Sequence, residues 1–192
     1  MNKIKTMAVY LGSRPGNETK FTDNAAKLGR LLAEHHIRIV YGGASVGTMK
    51  ALADGAATAG GEIVGVFPEG FKGKKDNAAA GIAVGPEGVR LTHIITVKDI
   101  AERIATMERL ADAMIFLPGS FGTMTEAFSW MEEWQLGYHA KPAFILNTDG
   151  YYNGLLEQIK TMIAAGFMDG EDMDYLTPFP TPEELVANLL DR

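Results

Sequence analysis

The stretch Ala113-Met114-Ile115-Phe116-Leu117-Pro118-Gly119-Ser120-Phe121-Gly122-Thr123-Met124-Thr125-Glu126 decides the fold. Continuous apolar residues enter it, a Pro-Gly turn closes them, and a helical segment leaves it. A short unbroken apolar run suits a strand buried on both faces. The same order recurs on either side. Upstream, Met7–Leu11 reads as a strand closed by Gly12-Ser13-Arg14-Pro15-Gly16, and Ile37–Tyr41 as a second closed by Gly42-Gly43. Glu62–Phe67 is a third, closed by Pro68, and Leu91–Val97 a fourth. Between them Asn24–His36 carries Ala25, Leu28, Leu31 and Leu32 at helical spacing, Thr48–Ala59 is a small-residue helix, and Lys98–Leu110 is a third helix. Downstream come helix Thr123–Leu136, strand Ala143–Leu146 and helix Tyr151–Ala165. A last helix is expected after Thr181, where an N-cap threonine, a first-turn proline and two glutamates follow one another. Lys72–Gly88 has no period and reads as a surface loop. Strands alternating with helices predict one α/β domain over residues 1–192: a doubly wound, mostly parallel sheet with helices on both faces.

Composition narrows the function. The 192 residues are 46% hydrophobic and 22% charged, ordinary for a globular chain and too apolar for a disordered one. The absence of cysteine excludes a disulfide framework, a thiolate nucleophile and a Cys-type zinc site. A net charge of −6 argues against broad binding to nucleic acid or anionic membranes. The apolar run that starts at Met7 stops at Gly12, too short for a signal peptide, and no stretch reaches the length of a membrane span. A cytoplasmic protein is expected. No metal site is implied, since His35 and His36 are adjacent and His93 and His139 stand apart.

The glycine clusters follow strands one, two and five, the end of a parallel sheet where ligands bind. Gly12-Ser13-Arg14-Pro15-Gly16 does not spell G-x-G-x-x-G, and the second strand ends in Val40-Tyr41-Gly42 without a ribose-binding acid, which argues against a dinucleotide oxidoreductase. Gly42-Gly43-Ala44-Ser45-Val46-Gly47-Thr48 has the glycine spacing of a P-loop but lacks its lysine, which removes an ATPase reading. Turns suited to a single phosphate remain, with Gly12, Ser13, Gly43, Ser45, Gly47, Gly119, Ser120, Gly122 and Thr123 as candidate contacts. Glu126 lies three residues beyond Thr123 on the same helix face, about 4.5 Å along the axis at ~1.5 Å per residue. A phosphate on the turn would bring its sugar near that carboxylate. The same residue equally suits a first-turn glutamate complementing the helix dipole.

Pro118–Glu126 resembles the P-G-G-x-G-T-x-x-E signature of the "lonely guy" (LOG) family of nucleoside 5′-monophosphate phosphoribohydrolases, long labelled lysine decarboxylase-like. Tyr41–Met49 is similar to the family's Y-G-G-G-S-V-G-L-M, and Gln135-Leu136-Gly137, His139, Lys141-Pro142 and Asn147–Tyr152 also resemble family text. The resemblance runs from Met7 to about Gly170 and implies a Rossmann-like fold. It implies hydrolysis of AMP-like or cytokinin nucleotides to free base and ribose 5-phosphate, with no cofactor or metal, in a homodimer. It also implies a catalytic pair. Ile100–Met107 stands where the family has M-x-x-R-K-x-x-M, so Arg103 takes the arginine's place and Glu126 the glutamate's. Departures are Ser120 for the signature's second glycine, Ile104 for the lysine, Ala44 for a glycine, and Glu132-Glu133-Trp134 near a usual Thr-Trp pair. If position 120 needs a positive φ, serine costs on the order of 1 kcal/mol; otherwise its hydroxyl is a further phosphate contact.

N-glycoside hydrolysis builds positive charge on C1′ and the ring oxygen. Glu126 would stabilise it and orient or deprotonate water. Arg103 stays charged, so it would hold the phosphate or neutralise the departing base. The reading requires the Glu126 carboxylate to face the cleft rather than be locked away in a structural ion pair. A decarboxylase would need a lysine in a pyridoxal-phosphate pocket, and Lys72, Lys74 and Lys75 sit in the presumed loop. The competing class is a non-catalytic carrier of the same fold, holding a nucleotide or molybdenum cofactor. The large apolar residues Met124, Phe128, Trp130, Met131 and Trp134 exceed what one core face uses and point to a subunit interface.

Overall fold

The computed structural model describes residues 4–69, 91–170 and 176–191. The elements run β1 (Thr6–Tyr10), α1 (Thr19–Glu34), β2 (Arg38–Tyr41), α2 (Gly47–Thr58), β3 (Ile63–Pro68), β4 (His93–Val97), α3 (Ile100–Leu110), β5 (Ala113–Phe116), α4 (Phe121–Gln135), β6 (Ala143–Leu146), a 3-10 turn (Thr148–Gly150), α5 (Asn153–Ala164), β7 (Leu176–Phe179) and α6 (Pro182–Leu190). The presumed loop Lys72–Gly88 lies outside the described residues.

Among the described residues seven strands form one sheet, ordered β4-β3-β2-β1-β5-β6-β7 and parallel at every pairing. The chain builds outward from β1 to β4, then returns to the other flank of β1. Strand order therefore reverses between β1 and β5, and a crevice opens there beyond the carboxyl ends of the strands.

Side chains alternate across the sheet. Met7, Val9 and Leu11 join Leu28, Leu32, Leu52 and Leu185 on the face covered by α1, α2 and α6. Ala8 and Tyr10 join Met107, Trp130 and Ile159 on the face covered by α3, α4 and α5. On the first face α1 and α2 cross with backbone against side-chain-free positions. A methyl group on Gly29 would overlap the Leu52 carbonyl, and one on Gly55 the Ala26 carbonyl.

The terminal helix is capped as its sequence predicts: the Thr181 hydroxyl accepts from the Glu184 N–H, and Pro182 opens the helix. Two features differ from the sequence reading. β7 was not expected; it pairs with β6 at the sheet edge, where Pro178 is tolerated because one side of an edge strand needs no donor. α1 begins at Thr19, five residues before the expected Asn24, because its first turn is polar and carries no apolar period.

Candidate active site

The loops after β1, β2 and β5 converge at the reversal point. The Gly12 N–H donates to the Pro118 carbonyl at 3.2 Å, and the Thr48 hydroxyl donates to the Gly12 carbonyl at 2.7 Å. The turn after β5 is held from behind as well: the Tyr151 hydroxyl donates to the Gly119 carbonyl at 2.6 Å and the Tyr152 hydroxyl to the Leu117 carbonyl at 2.5 Å. Gly119 must be glycine, since a methyl there would overlap the Thr123 hydroxyl. Gly47, at φ +54°, brings the start of α2 against the β1 loop; a methyl on it would meet Ser13 and Arg14 backbone at 2.6 Å.

These loops frame a cleft of about 790 Å³. Of the sequence candidates, Gly12, Ser13, Ser120, Gly122, Thr123, Arg103 and Glu126 line it. Gly119 lines an adjoining pocket of about 310 Å³, which shares Gly12, Ser13 and Ser120 with the cleft. Gly43, Ser45 and Gly47 line neither; their neighbours Gly42, Ala44 and Val46 face the cleft instead. The α2 and α4 starts carry no side-chain cap, in contrast to α3 and α6, which Asp99 and Thr181 cap. Ser120 has φ −109°, ordinary extended backbone, so serine in place of glycine strains nothing there.

Arg103 and Glu126 meet across the cleft wall. Arg103 Nη1 donates to Glu126 Oε1 at 2.7 Å, and Arg103 Nε donates to the Val66 carbonyl at 3.1 Å. Their side chains are 12% and 6% exposed. Glu126 is thus paired, but with another residue of the cleft wall, and among the described residues no second protein group binds its carboxylate. Burial raises the Glu126 pKa, and the Arg103 charge and hydrogen bond work against that rise. Arg103 owes its position to Gly42, because a methyl on that residue would overlap the guanidinium. Neither the Gly42 contact nor the Val66 carbonyl was foreseeable from local sequence, since each joins segments far apart in the chain.

Behind the pair lies a second polar group. Glu108 is 5% exposed and its Oε1 has no hydrogen-bond partner among the described residues. Burial, then the charge of Glu133, push its pKa up to about 7, against a hydrogen bond from Ser129 and the charge of Lys141. Tyr10, buried beside these charges with its hydroxyl unpartnered among the described residues, is held well above the ordinary phenol value, chiefly by desolvation.

The family described as "possible lysine decarboxylase" matches residues 49–189. The chain is 40% identical over 164 residues to the cytokinin riboside 5′-monophosphate phosphoribohydrolase of Rhodococcoides fascians, covering 85% of this chain and 78% of that one. It is 34% identical over 190 residues to the Arabidopsis thaliana protein of the same name, LOG1, covering 99% and 84%. The chain belongs to the LOG family. Solved structures give the fold independently. The X-ray structure of TM1055 matches with a TM-score of 0.72 at 23% identity, covering 98% of this chain and 99% of that one. The molybdenum cofactor binding protein of Rippkaea orientalis matches at 0.66 and 21%, covering 99% of each chain. The architecture is the Rossmann-like α/β fold of the LOG family, as the strand order requires. The decarboxylase wording finds no support in the site. A pyridoxal-phosphate enzyme needs a lysine amine to hold its cofactor, and no lysine is among the described residues that line the cleft. Lys72, Lys74 and Lys75 lie outside the described residues.

Proposed function

We propose that this LOG-family chain is a nucleoside 5′-monophosphate phosphoribohydrolase. It hydrolyses the N-glycosidic bond of AMP-like or N6-modified adenine (cytokinin) nucleotides to free base and ribose 5-phosphate. The observation that carries the reading is the Arg103–Glu126 pair, set in the cleft one turn beyond the uncapped start of α4. A phosphate at that start meets helix N–H groups and the positive end of the helix dipole. Its ribose then lies beside Glu126. As the C1′–N bond breaks, the carboxylate stabilises the charge growing on C1′ and the ring oxygen, and takes a proton from the water that attacks C1′. The departing base leaves with a proton drawn ultimately from that water. Arg103 opposes the rise that burial causes in the Glu126 pKa and fixes the oxygen it holds. Gly12, Ser13, Ser120, Gly122 and Thr123 form the phosphate end. No metal or cofactor has a step in this scheme.

Purified protein is incubated with AMP and with isopentenyl-adenosine monophosphate, and free base is followed by chromatography. Base is released from both, and Glu126→Ala and Arg103→Ala each lose at least ~100-fold in turnover. Because burial raises the Glu126 pKa, activity falls on acidification at a pH above the ordinary carboxylate value of 4.5. Full turnover by Glu126→Ala removes the mechanism, and tight binding of intact nucleotide makes the protein a carrier. The reading extends to a cytoplasmic homodimer. Phe121 and Phe128 support the dimer: they stand 90% and 43% exposed on α4, the helix that also walls the cleft. Sedimentation of wild type against Phe121→Ser/Phe128→Ser tests it.

A further inference from the structure

The side of the cleft opposite the α4 start carries two side chains that bond cleavage does not use. The end of β3 presents Phe67 and, just beyond it, Glu69. Phe67 is half-buried and is the one aromatic among the described residues lining the cleft. Its ring tip rests on the Gly43 backbone, where a methyl group would overlap it, and its edge runs close to Gly65. Two glycines therefore make room for the ring. Glu69 is exposed, and its N–H donates to the Val97 carbonyl at 2.6 Å, which fixes its backbone at the cleft lip. Three charged side chains among the described residues line the cleft, and Arg103 and Glu126 pair with each other. Glu69 is the third and makes no ion pair among the described residues.

The order β3-β2-β1-β5 separates the end of β3 from the turn after β5 by three strand spacings. At ~4.8 Å each that is roughly 14 Å, a span that takes an extended mononucleotide. A phosphate seated at α4 thus sends the base toward Phe67, with its outer edge at Glu69. An aromatic ring stacks on any nucleobase. An ionised carboxylate only accepts hydrogen bonds, so it needs an N–H on that edge, and it repels a phosphate placed there by mistake.

We propose that Phe67 and Glu69 form the base-recognition subsite: Phe67 stacks on the base, and Glu69 accepts a hydrogen bond from its exocyclic amino group. The inference rests on the nucleotide reading above and narrows it to bases that bear an amino group. An adenine with one N6 substituent retains an N–H and qualifies.

The test compares kcat/KM for AMP with that for purine riboside 5′-monophosphate, which is AMP without the amino group. The wild-type preference for AMP is about tenfold, the scale of one hydrogen bond to a charged acceptor. Glu69→Ala brings the ratio of the two substrates close to one, and Glu69→Gln, whose amide oxygen still accepts, restores part of it. Phe67→Ala raises KM for both substrates about tenfold with the ratio unchanged, and Phe67→Tyr restores KM. An unchanged ratio in Glu69→Ala, or an unchanged KM in Phe67→Ala, overturns the subsite. Failure of the hydrolase reading looks different: wild type then cleaves neither nucleotide, and calorimetric binding of the same two compounds to the same variants decides the subsite by the same ratios.

Discussion

On one face of the sheet α1 and α2 press backbone against backbone, with Gly29 and Gly55 facing carbonyls of the opposite helix. On the other, α3 and α4 meet through charged side chains, Arg103 of one holding Glu126 of the other. Both faces use glycine to let something approach, but to different ends. The α1–α2 glycines remove side chains to close the packing. Gly42 removes one to admit a guanidinium into a cleft. The α1–α2 glycine contacts contribute to stability alone. The second face spends some of it, because burying a charged pair recovers little of its desolvation cost. One added methyl group should therefore produce opposite symptoms on the two faces.

Gly55→Ala drives a methyl into the Ala26 carbonyl and costs about 3 kcal/mol by overpacking, with turnover per folded molecule preserved. Urea unfolding and an activity assay on the same sample read both quantities. Gly42→Ala displaces Arg103 and lowers kcat/KM about tenfold or more, with a much smaller shift in the urea midpoint. If the two variants show the same symptom, the division of labour between the faces is wrong.

Glu108 sharpens the comparison through pH. Its carboxyl is held at about 7, above the ordinary 4.5, so the unfolded chain gives up this proton first as pH rises. The stability it contributes is complete below about 4.5 and is lost as pH rises through about 7. Glu108→Gln mimics the neutral acid. It leaves stability unchanged at pH 4.5 and raises it at pH 8 by an amount on the order of 1 kcal/mol, read as a higher melting temperature. No such pH-linked change arises where Gly29 faces Leu52 and Gly55 faces Ala26. The smallest effect belongs to Ser120→Gly: at φ −109° no strain is relieved, and stability changes by less than about 0.5 kcal/mol.

The fold was legible because six of its strands are short apolar runs, four of them (β1, β2, β3 and β5) closed by glycine or proline, and because the helices between them carry an apolar stripe or a run of small residues. β7 escaped because Leu176-Thr177-Pro178-Phe179 is short and contains a proline, which an edge position tolerates and a central one does not. β4 was expected to resemble the doubly buried strands, yet Ile94 is 46% exposed because β4 is the opposite edge. In the site, Glu126 was suggested by its place after a strand–glycine turn. Arg103 was not: its helix pattern alone reads as a surface residue beside an apolar stripe, and the family motif singled it out. Phe67 and Glu69 carried no signal, since a phenylalanine ending a strand and an exposed glutamate are commonplace until topology sets them across a cleft from a helix start. Gly43 was marked as a ligand contact; it lines neither cavity among the described residues, and its missing side chain makes room for the ring of Phe67.

The guanidinium of Arg103 touches what three separate connections deliver: Gly42 after β2, the Val66 carbonyl of β3, and Glu126 of α4. Their strands, β2, β3 and β5, stand on both sides of β1, and of the three only β5 adjoins in sequence the helix that bears the arginine. A chain that has assembled only one flank of β1 can hold the arginine or the carboxylate, never both in register. The Arg103–Glu126 pair is therefore itself a sign that the two halves of the sheet have come together.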